Sequence, residues 1–239
     1  LFDTLLNGTA RLFYVRQEYP IVRALAALSL LNLHRCGGDS GHLDYARGHL
    51  QWLAEHCCEG YAGACWGLGF RYPVSSTIIY DANTPFVTIT PYAIEAFVEY
   101  EALTGDRRYS SLVGSAYDFF DRDIHVMQET DDWMATSYGP IPDRMVTNAV
   151  SYTMYSYALL LPYLESEARS KALRRIDKLY TFVRLNQRPD GLWLYSPEGQ
   201  SFIDCFHTCF VLKNLLKTRR LVDLPDSIGI VTHGYSRMK

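Results

Sequence analysis

The chain has 239 residues and a mass of 27.4 kDa, with 48% hydrophobic and 21% charged residues. That composition excludes a disordered tail or a collagen-like rod. A net charge of −3 and a pI near 6.2 leave no basic footprint for nucleic acid. The longest apolar run, around Ala158 to Leu161, falls far short of the ~20 residues that a membrane-spanning helix needs.

The predicted elements are helices. Pro20 fits a first helical position, and apolar residues recur at helical spacing from Ile21 to Leu33 until Cys36-Gly37-Gly38 stops them. A second helix is expected over about Leu43 to Cys58, with Leu43, Ala46, Leu50, Leu53 and Ala54 on one stripe. Thr90-Pro91 opens a third, which ends at Thr104-Gly105-Asp106; a fourth covers about Arg108 to Phe120. The fifth, sixth and seventh run over about Asn148 to Leu161, Glu167 to Leu185 and Phe206 to Thr218, and Asn148 is suited to cap the fifth. Trp133 to Tyr138 and Gly191 to Tyr195 read as short strands. The class is all-α.

The joints between these helices alternate. Short ones follow the first, third and fifth helices (Cys36 to Gly41, Gly105 to Arg107, Pro162 to Ser166), and long, aromatic-rich ones follow the second, fourth and sixth (Glu59 to Ile89, Asp121 to Thr147, Asn186 to Cys205). The unit repeats at roughly 55 to 60 residues. Tight turns make antiparallel hairpins, so all the long loops emerge at one end of the stack. Hairpins stacked into a curve form a partial or complete α/α toroid, and seven helices are too few to close a ring of six hairpins. The expected organisation is one domain over residues 1–239, with residues 1–19 a less certain leading segment. The remainder of a ring would come from a missing N-terminal domain, the chain then being the C-terminal part of something longer, or from a second copy. No basic and apolar leader is visible at the start, which points to the cytoplasm.

The six cysteines form no CxxC pair and are expected to be buried and reduced. Cys205 and Cys209 flank His207 as a soft-metal face would, but no second ligand pair of matching spacing accompanies them. No metal and no cofactor is expected.

The long loops hold the candidate chemistry. Aromatic residues make up 14% of the chain, led by 18 tyrosines, whose apolar body and polar tip suit wet ligands such as sugars. In the first loop Trp66 and Tyr72 offer flat faces for a pyranose ring, Arg71 can hold a carboxylate through two parallel hydrogen bonds, and Asn83 is a further polar contact. Trp66 and Phe70 could equally plug the end of the bundle. The second loop supplies Trp133, Tyr138 beside the Gly139-Pro140 turn, and Arg144; Tyr152, one turn into the next helix, faces either the axis or the core. The third supplies the turn at Pro189-Asp190-Gly191, then Trp193 and Tyr195. Asp204 and His207 open the last helix, where the imidazole is either an available base or a clip that fixes the loop.

Over roughly residues 85 to 218 these features resemble the α/α toroid domain of D-glucuronyl C5-epimerases. The likeness lies in the alanine- and tyrosine-rich helix from Thr90 to Gly105, the aromatic loop before Tyr138, the helix from Asn148 to Tyr157, the turn from Asp190 to Tyr195 and the His207-Thr208 step. It implies proton abstraction and return at C5 of a uronic acid within a polysaccharide, with Tyr138 and Tyr195 where family tyrosines act. A third family tyrosine, just before the His-Thr step, is replaced by Phe206, and His207 or Tyr152 would have to substitute. The expected ligand is an acidic oligo- or polysaccharide, with Arg71 or Arg144 clamping its carboxylate. The alternatives are a glycosidase, using carboxylates such as Asp81, Asp143, Asp190 or Asp204, a polysaccharide lyase, and a non-catalytic carbohydrate-binding or scaffold domain.

Overall fold

The computed structural model describes residues 17–74, 78–198 and 201–237; most of the expected leading segment lies outside them. The helices are α1 (Pro20–Gly37), α2 (Ser40–Glu55), α3 (Thr90–Thr104), α4 (Ser110–Asp118), α5 (Thr147–Leu160), α6 (Ser166–Leu185), α7 (Cys205–Thr218) and α8 (Ser227–Ser236). Phe119–Asp123 carries α4 on as a wider π-helical turn, and Leu161–Tyr163 closes α5 as a 3-10 turn. Two small antiparallel ribbons sit in the loops: β1 (Tyr72–Pro73) with β2 (Ile79–Tyr80), and β3 (Val126–Glu129) with β4 (Met134–Thr136).

The helices pair as four hairpins. Within them α1, α3, α5 and α7 form a continuous inner row, each packed on the next, while α2, α4, α6 and α8 lie behind and are spread apart. Such a row is curved, with its concave side lined by the inner helices. α1 and α7 stand at its two ends.

Burial follows from this order. Every residue of α5 is buried, because helices flank it on both sides and α6 backs it. Its sequence tolerates that position. Ala149, Ser151, Ser156 and Ala158 let neighbours approach closely, and the Ser151, Thr153 and Ser156 hydroxyls donate to Asn148, Ala149 and Tyr152 carbonyls of the same helix, leaving no buried donor unmet. α6, by contrast, buries one stripe (Ala172, Ile176, Leu179, Tyr180, Val183), while Arg174 and Arg184 are exposed and Arg175 turns in to Tyr157 and Asp121.

Several expectations need correction. α8 follows α7 and makes an eighth helix among the described residues; its apolar content is thin (Ile228, Ile230, Val231), so it escaped the periodicity. Gly191 to Tyr195 is irregular rather than a strand. Asn148 does not cap α5, whose preceding residue is Val146 with no side-chain cap; Asn148 lies inside the first turn, buried, with its Oδ1 unpartnered. Of the six cysteines only Cys65 is buried, and Cys36, Cys205 and Cys209 are exposed.

Candidate functional site

All the inner helices begin at the same end of the row, where the long loops gather, so the positive ends of their dipoles face one region. Short hydrogen bonds tie the loops to those helix starts. The Thr90 hydroxyl bridges the Trp66 backbone, accepting from its N–H and facing its carbonyl at 3.0 Å each. Val87 N–H donates to the Tyr138 carbonyl, joining the first loop to the second. Thr147 donates from its N–H to the Tyr195 carbonyl and from its hydroxyl to the Leu194 carbonyl, joining the third loop to the start of α5.

The side chains that meet there are tyrosines around one arginine. The Arg144 guanidinium carbon lies 4.3 Å from the Tyr138 ring centre and 5.4 Å from that of Tyr80, stacked between two π-faces. Tyr80, buried, donates its phenol to Asp143 Oδ2 at 2.5 Å. The Thr88 hydroxyl donates to the Tyr138 oxygen at 3.2 Å, and Phe86 packs edge-on against the same ring. Asp143 Oδ2 approaches Arg144 Nε only to 3.9 Å. Asp143 Oδ1, Arg144 Nε and Asn148 Oδ1 are buried without a hydrogen-bond partner. Native proteins rarely leave such groups unmatched, so Asp143 and Arg144, adjacent in the chain, keep hydrogen-bonding capacity for a polar ligand.

Burial raises the pKa of Tyr138, against the lowering influence of the Thr88 hydrogen bond and the Arg144 charge. Tyr195 is raised by burial too, with Arg144 opposing and Tyr138, Tyr72 and Asp143 adding to it, so all four lie within electrostatic reach of its phenol. Both phenols therefore keep their proton at neutral pH.

Tyr195 leads to the helix start of α7. Its ring stacks on Phe202 and meets the His207 imidazole edge-on at 4.7 Å. Asp204 caps α7, accepting from His207 N–H at 2.7 Å, and its other oxygen engages His207 Nδ1 at 2.7 Å. Burial acts against the Asp204 charge, but the His207 backbone and ring hydrogen bonds prevail and hold its carboxyl below the usual range. With Nδ1 committed to a carboxylate, the neutral ring carries its proton there and leaves Nε2 as an acceptor. Cys205 and Cys209 stand Sγ to Sγ at 3.7 Å on the same turn; no cluster of three or more metal-ligating side chains occurs among the described residues.

The structure thus brings Tyr138, Tyr195, Arg144, Tyr72, Asp204 and His207 to one end, and separates others from them. Trp66 is fully buried and donates its indole N–H to the Leu53 carbonyl, and Trp193 is buried and donates to the Val183 carbonyl, so neither has a face for a sugar. Each anchors a loop to the preceding outer helix. Trp133 packs on Phe182 of the outer helix α6. The aromatic side chains gathered about Arg144 are tyrosines, not tryptophans. Arg71 is exposed, without the stacking contacts that hold Arg144. Asn83 is spent on the loop itself, accepting from Glu59 N–H and donating to its carbonyl, beside a separate cavity of about 340 Å³ that Trp52 and Glu55 also border. Tyr152 is buried with its hydroxyl at the concave face, bonded to the Tyr92 hydroxyl at 2.8 Å and to Lys213 Nζ at 3.1 Å. Tyr92 and Lys213 were not singled out from the sequence. The one signal for Lys213 was a cation set among Phe206, Phe210 and Leu212 on α7.

This architecture is an α/α toroid, of which the described residues supply four hairpins. No protein-family model matches the chain, and no curated protein resembles it in sequence. Solved structures of similar fold include the unsaturated glucuronyl hydrolase of Bacillus sp. GL1, involved in degrading glycosaminoglycan (TM-score 0.63, 14% identity, 92% of this chain and 60% of that one). Others are the cellobiose 2-epimerase of Spirochaeta thermophila (0.62, 13%, 92% and 58%) and an α-mannanase of Bacteroides thetaiotaomicron (0.62, 10%, 92% and 57%). The chain therefore spans less than two thirds of the length of these proteins. At these identities the likeness carries the fold.

Proposed function

We propose that the chain is a carbohydrate-active enzyme of polysaccharide metabolism that moves a proton next to the carboxylate of a uronic acid residue, in the manner of a C5-epimerase. The observation that carries this reading is Arg144: a guanidinium stacked on Tyr138, its nearest carboxylate 3.9 Å away, Nε buried and unpartnered, in a ring of phenols. Such a group is suited to a ligand carboxylate held in two parallel hydrogen bonds. The likeness in fold to a hydrolase, an epimerase and a mannanase supports a carbohydrate ligand.

In this reading His207 Nε2 takes the C5 hydrogen as a proton, and the electron pair of the broken C–H bond moves into the carboxyl group as an enediolate. Arg144 offsets the developing charge. A protonated phenol, Tyr138 or Tyr195, returns a proton to C5 from the other side, and both carriers reset by exchange with water. The raised pKa of the two phenols suits donation rather than abstraction. Phe206, exposed at the start of α7, supplies no proton, which leaves His207 to do the work of the absent tyrosine.

A second reading, hydrolysis, draws on Asp143, a buried carboxylate holding one phenol and keeping Oδ1 unpartnered. NMR of uronate-containing oligosaccharides incubated with the protein in heavy water separates the readings. Deuterium at C5 without chain shortening supports epimerisation. New reducing ends support hydrolysis, new unsaturated ends support elimination, and line broadening alone supports a binding or scaffold domain.

A further inference from the structure

We propose that Lys213, with the phenols of Tyr92 and Tyr152, forms a second carboxylate subsite on the concave face below the loop end, so that the ligand is an oligomer bearing acidic groups on more than one sugar residue. This rests on the uronate reading of Arg144. Tyr92 lies in the first turn of α3, Tyr152 in the second of α5 and Lys213 in the middle of α7, so three successive inner helices contribute. Lys213 Nζ donates to the Tyr92 oxygen at 2.9 Å and the Tyr152 oxygen at 3.1 Å, and lies 4.5, 4.5 and 5.1 Å from the ring centres of Tyr92, Tyr152 and Phe210.

The two phenols do not need the lysine, since their hydroxyls already bond each other at 2.8 Å. The lysine is the member left uncompensated. Glu95, the carboxylate nearest in influence, is taken by Lys217 in a short ion pair, and Lys217 also lies over the Tyr155 ring. Around Lys213, then, α7 offers a second cation, α3 offers Tyr92 and an already paired Glu95, and α5 offers Tyr152. Burial, and then the Lys217 charge, lower the Lys213 pKa to about 8, with only Glu95 opposing. A partly buried cation that lacks a carboxylate, with the one phenol proton not used in the Tyr92–Tyr152 bond as a further donor, is a site for an incoming anion. Tyr138 is close enough to affect the Tyr152 phenol, so the subsite adjoins the Arg144 site.

The test is calorimetry of the whole chain with galacturonate and with tetragalacturonate. Lys213→Met, which keeps the aliphatic stem, is expected to weaken tetragalacturonate binding at pH 7 by about tenfold. It should leave galacturonate unchanged, while Lys213→Arg restores the tetramer. Wild-type affinity for the tetramer should also fall above pH 8 in a way that Lys213→Arg does not share. Equal tetramer affinity in wild type and Lys213→Met overturns the inference, and if Arg144→Gln still abolishes galacturonate binding, the Arg144 reading survives it. If Lys213→Met weakens the tetramer while Arg144→Gln changes neither ligand, the Arg144 reading fails and the lysine subsite stands. Binding of neither sugar by the wild type overturns both.

Discussion

Arg144 and Tyr138 lie six residues apart in one loop and stack cation to ring at 4.3 Å, although Arg144 has an acidic neighbour in sequence, Asp143. Asp143 Oδ2 accepts the Tyr80 phenol and stands 3.9 Å from Arg144 Nε, a distance for ion pairing but not for a hydrogen bond, so that N–H keeps its donor capacity. Arg144→Gln keeps a planar hydrogen-bonding end and removes the charge. It should weaken binding of uronate-containing oligosaccharides by on the order of 30-fold or more while leaving thermal unfolding close to wild type. A calorimetric titration that finds unchanged affinity removes the clamp.

Tyr80→Phe deletes the donor to a buried carboxylate. An Asp143 oxygen left without its partner costs about 1–3 kcal/mol, to be read from urea unfolding. Because this contact joins the first loop to the second, ligand affinity should fall as well. A variant with wild-type stability would mean that the contact contributes nothing to the fold.

Trp193 distinguishes core from site. Trp193→Ala empties a packed position and breaks the hydrogen bond to Val183, with an expected cost of about 3–5 kcal/mol, whereas ligand affinity per folded molecule should not change. Selective loss of affinity at full stability would return the indole to the binding surface.

The linkage of Lys213 has a definite sign. Its folded pKa, about 8, is depressed below the ~10.4 of an unfolded lysine. The unfolded chain therefore holds more protons between those values, and this residue makes stability rise with pH from about 8 to about 10.4. The unfolding free energy of wild type minus that of Lys213→Met should climb across that window. A flat difference would show that the amine titrates normally.

Asp204 gives a slope of the same sign, in an acidic window. Its folded pKa is depressed by the His207 bonds, so its contribution is present above the unfolded value near 3.9 and disappears as pH falls through the folded value. Asp204→Ala loses the cap of α7, about 1 kcal/mol at neutral pH. It should also release the imidazole, visible as a changed His207 ring tautomer in nitrogen NMR. An unaltered tautomer would mean that the ring is held by Tyr195 and Phe202 alone.

The alternation of tight and long joints was enough to place all the long loops at one end, because chain reversal at a tight turn is a local property. Side-chain direction was not so accessible. Trp66 and Trp193 look like sugar platforms in the sequence, yet their N–H groups reach carbonyls of the preceding outer helices, Leu53 and Val183. A bulky ring in a loop beneath a ring of helices fills the bundle end before it can face solvent. Glycine was ambiguous in the same way. At Gly67 a Cβ would stand 2.1 Å from the Thr84 carbonyl oxygen, so the close approach is to another strand of backbone rather than to a ligand. At Gly191, φ is 83° and His233 of α8 presses on the turn, a contact with a helix that had not been foreseen. The Lys213 cluster was illegible because it joins residues 121 and 61 positions apart. Only the stacking of inner helices brings them together.

The central claim is that proton transfer at a uronate carbon is carried out where Tyr138, Arg144, Tyr195 and His207 meet. Its most direct test follows deuterium entering C5 of a uronate oligosaccharide from heavy water, comparing wild type with His207→Gln, which lacks the base. The account calls for steady incorporation by the wild type and at least a hundredfold slower incorporation by a variant that binds the sugar equally well. Equal rates in the two proteins, or no exchange at C5 in either despite bound sugar, would contradict it.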